Sequence, residues 1–316
     1  MLEKIVNAVM PKGWTPDSLG DLSGKYYVIT GGNSGLGLET TRILAARGAE
    51  VSILCRSEAR AREALALLAQ DKPKGRIDFI PLDLADLASV RRVADTLHQR
   101  TGKLDGMINN AGLMAMPTRE VTRDGFEMQF GVNHLAHFAL SGLVADLVDN
   151  AGGRFVTVSS IAHKSGRIYF PDLQSDQSYK PWRAYGQSKL ANLLFAQELH
   201  RRLRQAGKTA QSIACHPGVS ATNLFKVGSE KWKETAVHVM GQLFFQSAER
   251  GAWPEVMAAA APEAVSGRYY GPTGPREAMG PVGESQITER ARDKEVAAKL
   301  WAVSEALTGV IWPLLR

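Results

Sequence analysis

A tyrosine and a lysine four positions apart, Tyr185 and Lys189, are the residues whose types and spacing best fit chemistry. On a helix this spacing puts the phenol and the ammonium on one face, about 5–6 Å apart at Cβ. A free tyrosine has a pKa of about 10, so ionisation near pH 7 requires roughly 4 kcal/mol. One unit charge at that distance supplies roughly 3 kcal/mol at an effective dielectric near 20. The pair therefore predicts a proton donor or acceptor that works near neutral pH.

Two adjacent hydroxyls, Ser159 and Ser160, stand where an apolar run over residues 154–159 ends. The run is typical of a buried strand, and open α/β sheets carry their sites at the carboxyl ends of strands. A hydroxyl at such an end can hold a substrate oxygen and stabilise charge as it develops. The residue types and spacing do not distinguish between the two serines.

A glycine-rich turn over residues 30–37, Thr-Gly-Gly-Asn-Ser-Gly-Leu-Gly, joins the first predicted strand to a helix. Glycines let the backbone approach a pyrophosphate, and the helix N-terminus offers free N–H groups and a positive dipole. The turn therefore predicts a dinucleotide site. Its candidate contacts are Gly31, Asn33, Ser34, Gly35, Leu36 and Gly37.

The second predicted strand ends at Cys55-Arg56, where an NAD site usually carries an acidic residue. A guanidinium suits a 2′-phosphate because its planar fork makes bidentate, charge-assisted hydrogen bonds. NADP(H) is favoured over NAD(H), with a surface arginine at a strand end as the alternative interpretation.

Short apolar runs alternate with helical patterns through most of the chain, which predicts βαβ units. The fold class expected is α/β, a single-domain Rossmann fold whose doubly wound parallel sheet has helices on both faces. Strands are predicted over 26–29, 51–54, 77–82, 104–109, 154–159 and 210–215. Helices are predicted over 35–47, 58–69, 87–97, 125–148, 184–204 and 287–307. The Gly- and Pro-rich residues 267–285 are expected to form a connection.

Composition limits the function classes. The 316 residues are 44% hydrophobic and 22% charged, with a formal net charge of +6, as in an ordinary soluble globular protein. No apolar run is long enough to span a bilayer. Basic residues are mostly interleaved with acids, so no nucleic-acid partner is expected. The two cysteines form no disulfide framework, which suits a cytoplasmic location, and no histidine has the context of a metal site.

Several motifs together resemble the short-chain dehydrogenase/reductase family over about residues 22–262. They are Thr30-Gly31 with Gly35 and Gly37, Asp83-Leu84, Asn109-Asn110-Ala111-Gly112, Asn133, Ser160, Tyr185 with Lys189, and Pro217-Gly218. Residues 132–138, 188–192 and 216–218 resemble the branch of retinol dehydrogenases and the WW-domain-containing oxidoreductase. This resemblance implies an oxidoreductase that acts on CH–OH donors with NAD(P).

The resemblance also implies roles for individual residues. Tyr185 would be the general acid/base, Lys189 would lower its pKa and hold the ribose, and Ser160 would polarise the carbonyl. Asn133 would hold a water that links Lys189 to solvent. The remaining cofactor contacts would be Asp83 at the adenine with Leu84 beside it, Asn110 at the adenosine ribose and Thr222 at the carboxamide.

The expected organisation is an amphipathic arm over residues 1–24 and an NADP-binding domain over 25–316, with a substrate lid at about 219–250 and the C-terminal helix at 287–307. Aromatic residues in the connection 161–184 could line a substrate pocket or fasten the loop to the surface. Residues 232–245 could be lid, membrane-surface contact or core, and weak peripheral contact through residues 1–10 also stays open. For the tail, 310–316, a homo-oligomer contact is favoured over membrane insertion.

The expected function is therefore an NADP(H)-dependent transfer of hydride to or from a lipophilic aldehyde, ketone or alcohol. A catalytically silent dinucleotide-binding sensor or scaffold is the alternative.

Overall fold

A computed structural model describes residues 13–219 and 246–315, which form one eight-stranded sheet with helices on both faces. The strand order is β3-β2-β1-β4-β5-β6-β7-β8, and every pairing is parallel except that of β7 with β8. The strands are β1 (Tyr26–Thr30), β2 (Glu50–Cys55), β3 (Ile77–Pro81), β4 (Gly106–Asn109), β5 (Arg154–Val158), β6 (Gln211–Cys215), β7 (Tyr269–Pro272) and β8 (Val282–Glu284). The predicted α/β fold class is confirmed.

Helices connect the parallel strands. In chain order they are α1 (Gly35–Ala46), α2 (Glu58–Gln70), α3 (Leu87–Arg100), α4 (Met128–Phe130, the π-helical turn Gly131–Leu135 and Ala136–Leu143), α5 (Ala145–Asn150), α6 (Pro181–Gln205), α7 (Ala248–Ala260), α8 (Glu289–Arg292) and α9 (Lys294–Thr308). Helices α3, α4 and α6 cover one face of the sheet, and α1, α2 and α7 cover the other.

Helices cover both faces of the sheet, and successive side chains of each strand point to opposite faces, so the side chains on both faces are buried. On β1, Val28 packs under α3 and α4, while its neighbour Ile29 packs under α1. On β5, Phe155 and Val156 divide in the same way, and all four side chains are fully buried. Burial on both sides explains why these strands are continuous apolar runs in the sequence.

The expected connection over residues 267–285 is wrong in part, because this segment contributes β7 and β8. Strand β7 extends the parallel sheet beside β6, and β8 returns antiparallel at the edge. Each strand is only three or four residues long and contains glycine, and β7 ends in Pro272. Such short segments carry no periodic signal, so the sequence pattern indicated only a loop.

Two helix boundaries also differ from expectation. The helix predicted over residues 125–148 begins at Met128, contains a π-helical turn and is interrupted at Val144. The helix predicted from residue 184 begins at Pro181, a residue type favoured in the first turn because it has no N–H to leave unpaired.

Both described ends of the chain pack onto the domain. Near the N-terminus, Leu19 and Leu22 are buried, and Trp14 donates its backbone N–H to Val282 O at 3.2 Å. In the tail, Val310 and Trp312 are 4% and 1% exposed and pack in the chain's own core, whereas Ile311 is 50% exposed, and the expected oligomer contact stays a prediction. Within the described ranges, no helix is both long and apolar enough to cross a membrane. Residues 1–12, and the segment 232–245, lie outside the described residues.

Candidate active site

The carboxyl end of β5 brings the predicted catalytic hydroxyl and phenol together. Strand β5 ends at Val158, and the next two residues turn in different directions. The Ser159 hydroxyl is buried and donates to the backbone carbonyl of Lys189 at 2.7 Å. The Ser160 hydroxyl instead lies near the Tyr185 phenol and acts to lower its pKa. The geometry therefore distinguishes the two serines, with Ser160 facing the tyrosine.

Lysine 189 follows Tyr185 by one helical turn on α6, as the spacing predicts. Its Nζ lies 5.9 Å from the centroid of the Tyr185 ring and donates to Val158 O at 3.1 Å. The lysine is only 5% exposed and the tyrosine 7%. Both groups are therefore held at the strand end with very little water around them.

Burial controls the protonation of this pair. Loss of solvent lowers the pKa of Lys189 to about 8, although the charges of Cys215 and Glu255 oppose the change. Burial raises the pKa of Tyr185, and the nearby Ser160 hydroxyl opposes that rise. In the ligand-free structure the net change in the tyrosine pKa is therefore a rise, and the lowering expected from Lys189 stays a prediction. The sequence-based prediction took account of the separation of the charges but not of the desolvation of the phenol.

The side chain of Asn133 lies in the π-helical turn of α4 and clamps the segment that follows β4. Its Oδ1 accepts from Leu113 N at 2.7 Å, while Nδ2 donates to Leu113 O and to Ser188 Oγ, both at 2.9 Å. A Cβ at Gly112 would lie 3.3 Å from Asn133 Oδ1 and 3.4 Å from Lys189 Nζ. Glycine at this position therefore lets the asparagine and the lysine approach each other.

The glycine-rich turn has the geometry of a dinucleotide cradle. Gly31 has a φ of +69°, and a Cβ on Gly37 would lie 2.5 Å from Gly31 O. Asn110 supports the turn, since its Nδ2 donates to Thr30 O at 2.7 Å. Helix α1 begins at Gly35, so the first N–H groups of that helix point out of the turn without partners within the helix. Between Gly31 and Gly37 only Asn33, Ser34 and Leu36 have side chains, so this close-packed turn fits a pyrophosphate.

The other predicted cofactor residues follow neighbouring strands. Arg56 follows β2 and is exposed, with no ion pair among the described residues. Asp83 and Leu84 follow β3 and are half-buried, and Asp83 Oδ1 accepts from Ala85 N at 3.0 Å. Thr222 lies outside the described residues. Strands β1, β2 and β3 are adjacent and parallel, so Arg56, Asp83 and Leu84 lie at the same end of the sheet as the glycine-rich turn after β1.

The connection 161–184 has four aromatic residues, Tyr169, Phe170, Tyr179 and Trp182, and the last three have two different roles. Tyr179 fastens the loop, since its hydroxyl donates to Met116 O at 2.7 Å, and Phe170 packs under the Lys299 ammonium at 4.3 Å. Trp182 is instead 62% exposed, and its ring meets that of Tyr185 edge-on at 6.0 Å. Of these four, Trp182 is the one in ring contact with the candidate acid/base.

Two buried groups near the site have no signal in the sequence. Glu255 on α7 is 2% exposed, and its charge acts on Lys189 and Cys215. His163 is fully buried and lies three residues after Ser160. A lone carboxylate in a helix and a lone histidine in a loop are ordinary sequence features, so only the packing singles them out. The described residues contain no cluster of three or more metal-binding side chains.

Fold and site together define a dinucleotide-dependent oxidoreductase. The family model for short-chain dehydrogenases matches residues 25–232, and the chain belongs to this family. The family's fold binds NAD(H) or NADP(H). The protein lies in the retinol dehydrogenase-like branch and acts on CH–OH donors.

The chain is similar to two relatives in particular. It is 40% identical over 306 residues to mouse (Mus musculus) retinol dehydrogenase 14, covering 92% of this chain and 88% of the relative. It is 39% identical over 302 residues to mouse polyprenol dehydrogenase, covering 93% and 87%. Among solved structures, an uncharacterized protein from Mycobacterium paratuberculosis shares 40% identity with a TM-score of 0.80, covering 96% of this chain and all of that chain.

Proposed function

We propose that the protein is an NADP(H)-dependent oxidoreductase that interconverts a lipophilic alcohol with its aldehyde or ketone, with Tyr185 as the general acid/base. The observation that carries the proposal is the alignment of Tyr185 and Ser160 at the end of β5, with Lys189 one helical turn away. A bound nicotinamide dinucleotide would supply or accept the hydride. Every other part of the reaction is assigned to side chains of this chain.

The phenol of Tyr185 handles the proton. Because burial raises its pKa, the phenol is protonated in the ligand-free protein and can donate to a carbonyl oxygen. The Ser160 hydroxyl, which lies near the phenol, would hold the same substrate oxygen. The Lys189 ammonium would favour the phenolate that remains after the transfer, because opposite charges attract strongly in a dry site.

The dinucleotide would be held by the turn at the start of α1. Gly31, Asn33, Ser34, Gly35, Leu36 and Gly37 would receive the pyrophosphate. Arg56 would bind the 2′-phosphate, because its guanidinium is exposed and has no acidic partner among the described residues. Asp83, Leu84 and Asn110 would border the adenosine, Thr222 the carboxamide, and Lys189 the nicotinamide ribose. Asn133 would hold a water between Lys189 and solvent.

Trp182 supports a lipophilic substrate. An indole that is 62% exposed beside the reacting phenol offers an apolar wall at the site. The relatives named for retinol and polyprenol point to the same class of alcohol. A cytoplasmic location, a homo-oligomeric state and weak membrane contact through residues 1–10 or 232–245 belong to the same proposal. Cell fractionation, sedimentation and vesicle binding test them separately.

The decisive experiment measures NADPH oxidation against carbonyls from short aldehydes to ketones, quinones, steroids and retinal, with NADH in parallel. Tyr185→Phe should lower kcat/KM at least 10²-fold, the usual contribution of a general acid, while dinucleotide binding persists. Tyr169→Phe is the matched control, since that ring is 44% exposed and packs on Arg183 instead.

Retention of more than a tenth of the activity by Tyr185→Phe would disprove the acid/base assignment. If the wild-type protein binds the dinucleotide but turns over no carbonyl and no matching alcohol, the sensor or scaffold alternative is favoured.

A further inference from the structure

The residue that faces Tyr185, Ser160, begins a short 3₁₀ turn over Ile161–Lys164. Its hydroxyl accepts from Ala162 N at 3.2 Å, and its carbonyl accepts from His163 N at 3.0 Å. These two bonds are the ordinary contacts of such a turn. The imidazole of His163 adds a third, with Nδ1 2.7 Å from Ser160 O. The histidine side chain is therefore tied to the backbone of the residue that presents the reactive hydroxyl.

The hydrogen bond fixes the protonation of the ring. A carbonyl oxygen only accepts, so the proton of neutral His163 is on Nδ1 and Nε2 has none. Burial favours this neutral form because it lowers the pKa of the imidazole. The ring orientation is also fixed, since it meets the Tyr269 ring edge-on at 5.5 Å and 87°.

The packing that holds the His163 ring continues beyond Tyr269. Tyr269 is fully buried, and its ring also contacts the ring of His216, with the centroids 5.0 Å apart. His216 in turn lies 3.0 Å from Ser285 Oγ through Nε2 and accepts from Gly218 N at 3.2 Å. The His163 ring thus rests against a packed aromatic layer that ties it to strand β7. A ring held in this way can hold a backbone carbonyl in one position.

We propose that His163 is a positioning residue for Ser160: its Nδ1–H fixes the Ser160 carbonyl and so holds the hydroxyl toward Tyr185. The proposal rests on the proposed function, in which Ser160 holds the substrate oxygen. Rotation of the Ser160 peptide would move the hydroxyl relative to the phenol, and a misplacement of about 1 Å costs on the order of 10²-fold in rate. In this proposal His163 acts only through Ser160.

Three substitutions separate this role from simple packing. In His163→Asn an amide nitrogen can occupy the place of Nδ1 and donate to Ser160 O. In His163→Gln the amide is one bond farther out, near the place of Nε2, and His163→Phe keeps a ring but has no donor. We expect Gln and Phe to lower kcat about 10- to 100-fold, and Asn to stay within about threefold of wild type. The KM and the fluorescence-measured Kd for NADPH should not change, because the dinucleotide turn lies on other strands.

A double-mutant cycle with Ser160→Ala supplies a readout that packing alone would not give. If His163 acts through the serine hydroxyl, His163→Gln should have no further effect on kcat once the hydroxyl is absent. Independent, multiplicative losses would overturn the proposal, as would full activity of His163→Gln or equal losses in the Asn and Gln variants. Thermal melts identify any variant that fails to fold. If His163→Phe does not fold, the comparison of His163→Asn with His163→Gln and the double-mutant cycle still test the positioning role.

The proposed function and the positioning role of His163 can be tested separately. If Ser160→Ala and Tyr185→Phe are both fully active, the proposed function is wrong. If both are inactive while His163→Gln is fully active, only the positioning role is wrong.

Discussion

Glu255 is a carboxyl group that the fold forces toward its neutral form. It lies on α7 where that helix packs against α1, is 2% exposed, and faces the buried Thr40. Its Oε1 atom has no hydrogen-bond partner within the described residues. Burial raises its pKa from 4.5 to about 8, although Thr40 and the charge of Lys189 oppose the rise. The ionised form is therefore disfavoured in the native state.

This shift makes the stability of the protein depend on pH. Between pH 4.5 and about 8 the folded protein binds a proton at Glu255 that the unfolded chain has released. Stability therefore falls as pH rises through this window, by up to about 1.4 kcal/mol per pH unit and about 5 kcal/mol in total. Glutamine has a similar shape and does not titrate, so Glu255→Gln should abolish this part of the pH dependence.

The assay is urea unfolding at pH 5, 6, 7 and 8. We expect the free energy of unfolding of Glu255→Gln, relative to wild type, to increase by about 3–4 kcal/mol from pH 5 to pH 8. Glu263→Gln is the control, because it removes an exposed carboxylate just beyond the same helix. A difference between Glu255→Gln and wild type that stays constant over this range would refute the reasoning, since Glu255 would then be ionised throughout.

Three further expectations follow from other parts of the structure. Arg56→Ala should weaken NADPH binding by about 10- to 100-fold and leave NADH binding unchanged, because a charge-assisted hydrogen bond contributes about 1.5–3 kcal/mol. Arg62→Ala, on the helix after β2, is its control in titrations by fluorescence, and equal losses for both dinucleotides would contradict the 2′-phosphate role. Trp312→Ala should cost about 3–5 kcal/mol in unfolding experiments because this side chain is 1% exposed, whereas Ile311→Ala, at 50% exposed, should cost far less. Burial lowers the pKa of three core histidines, His134, His137 and His216, from 6.5 to about 3 or 4. The melting temperature should therefore fall as pH drops below 6.5 toward 4, and it should fall most steeply in Glu255→Gln. A flat pH profile of the melting temperature in that variant would show that these histidines are not buried as neutral groups.

The sequence predicts the fold well where burial on both faces leaves a simple pattern. Val28 and Ile29 pack on opposite sides of the sheet, so the strand that contains them is a continuous apolar run. The pattern is absent from β7 and β8, whose few residues include Gly271 and Gly283. Strand β7 pairs with the edge that β6 offers and β8 pairs with β7, so both depend on the assembled sheet and not only on their own residues.

Part of the site could also be predicted. Helical spacing places Tyr185 and Lys189 on one face, and the rule for strand ends places Ser160 near them. The choice between Ser159 and Ser160 could not be made, because it depends on which way each side chain turns after β5. Glu255 was missed for a similar reason, since only the packing of α7 on α1 shows that its carboxyl is buried.

The electrostatics of the site show most clearly what spacing alone leaves out. A lysine near a tyrosine suggests a phenol that ionises easily, yet Tyr185 and Lys189 are both almost completely buried. Desolvation disfavours each charged form, so it raises the pKa of the phenol and lowers that of the amine to about 8. Glu255 is driven toward neutrality by the same cause. The ligand-free protein therefore has a protonated phenol beside a lysine whose charge is itself easily lost. In the proposed function, Tyr185 would therefore draw on charges and contacts that arrive with the bound molecules as well as on Lys189.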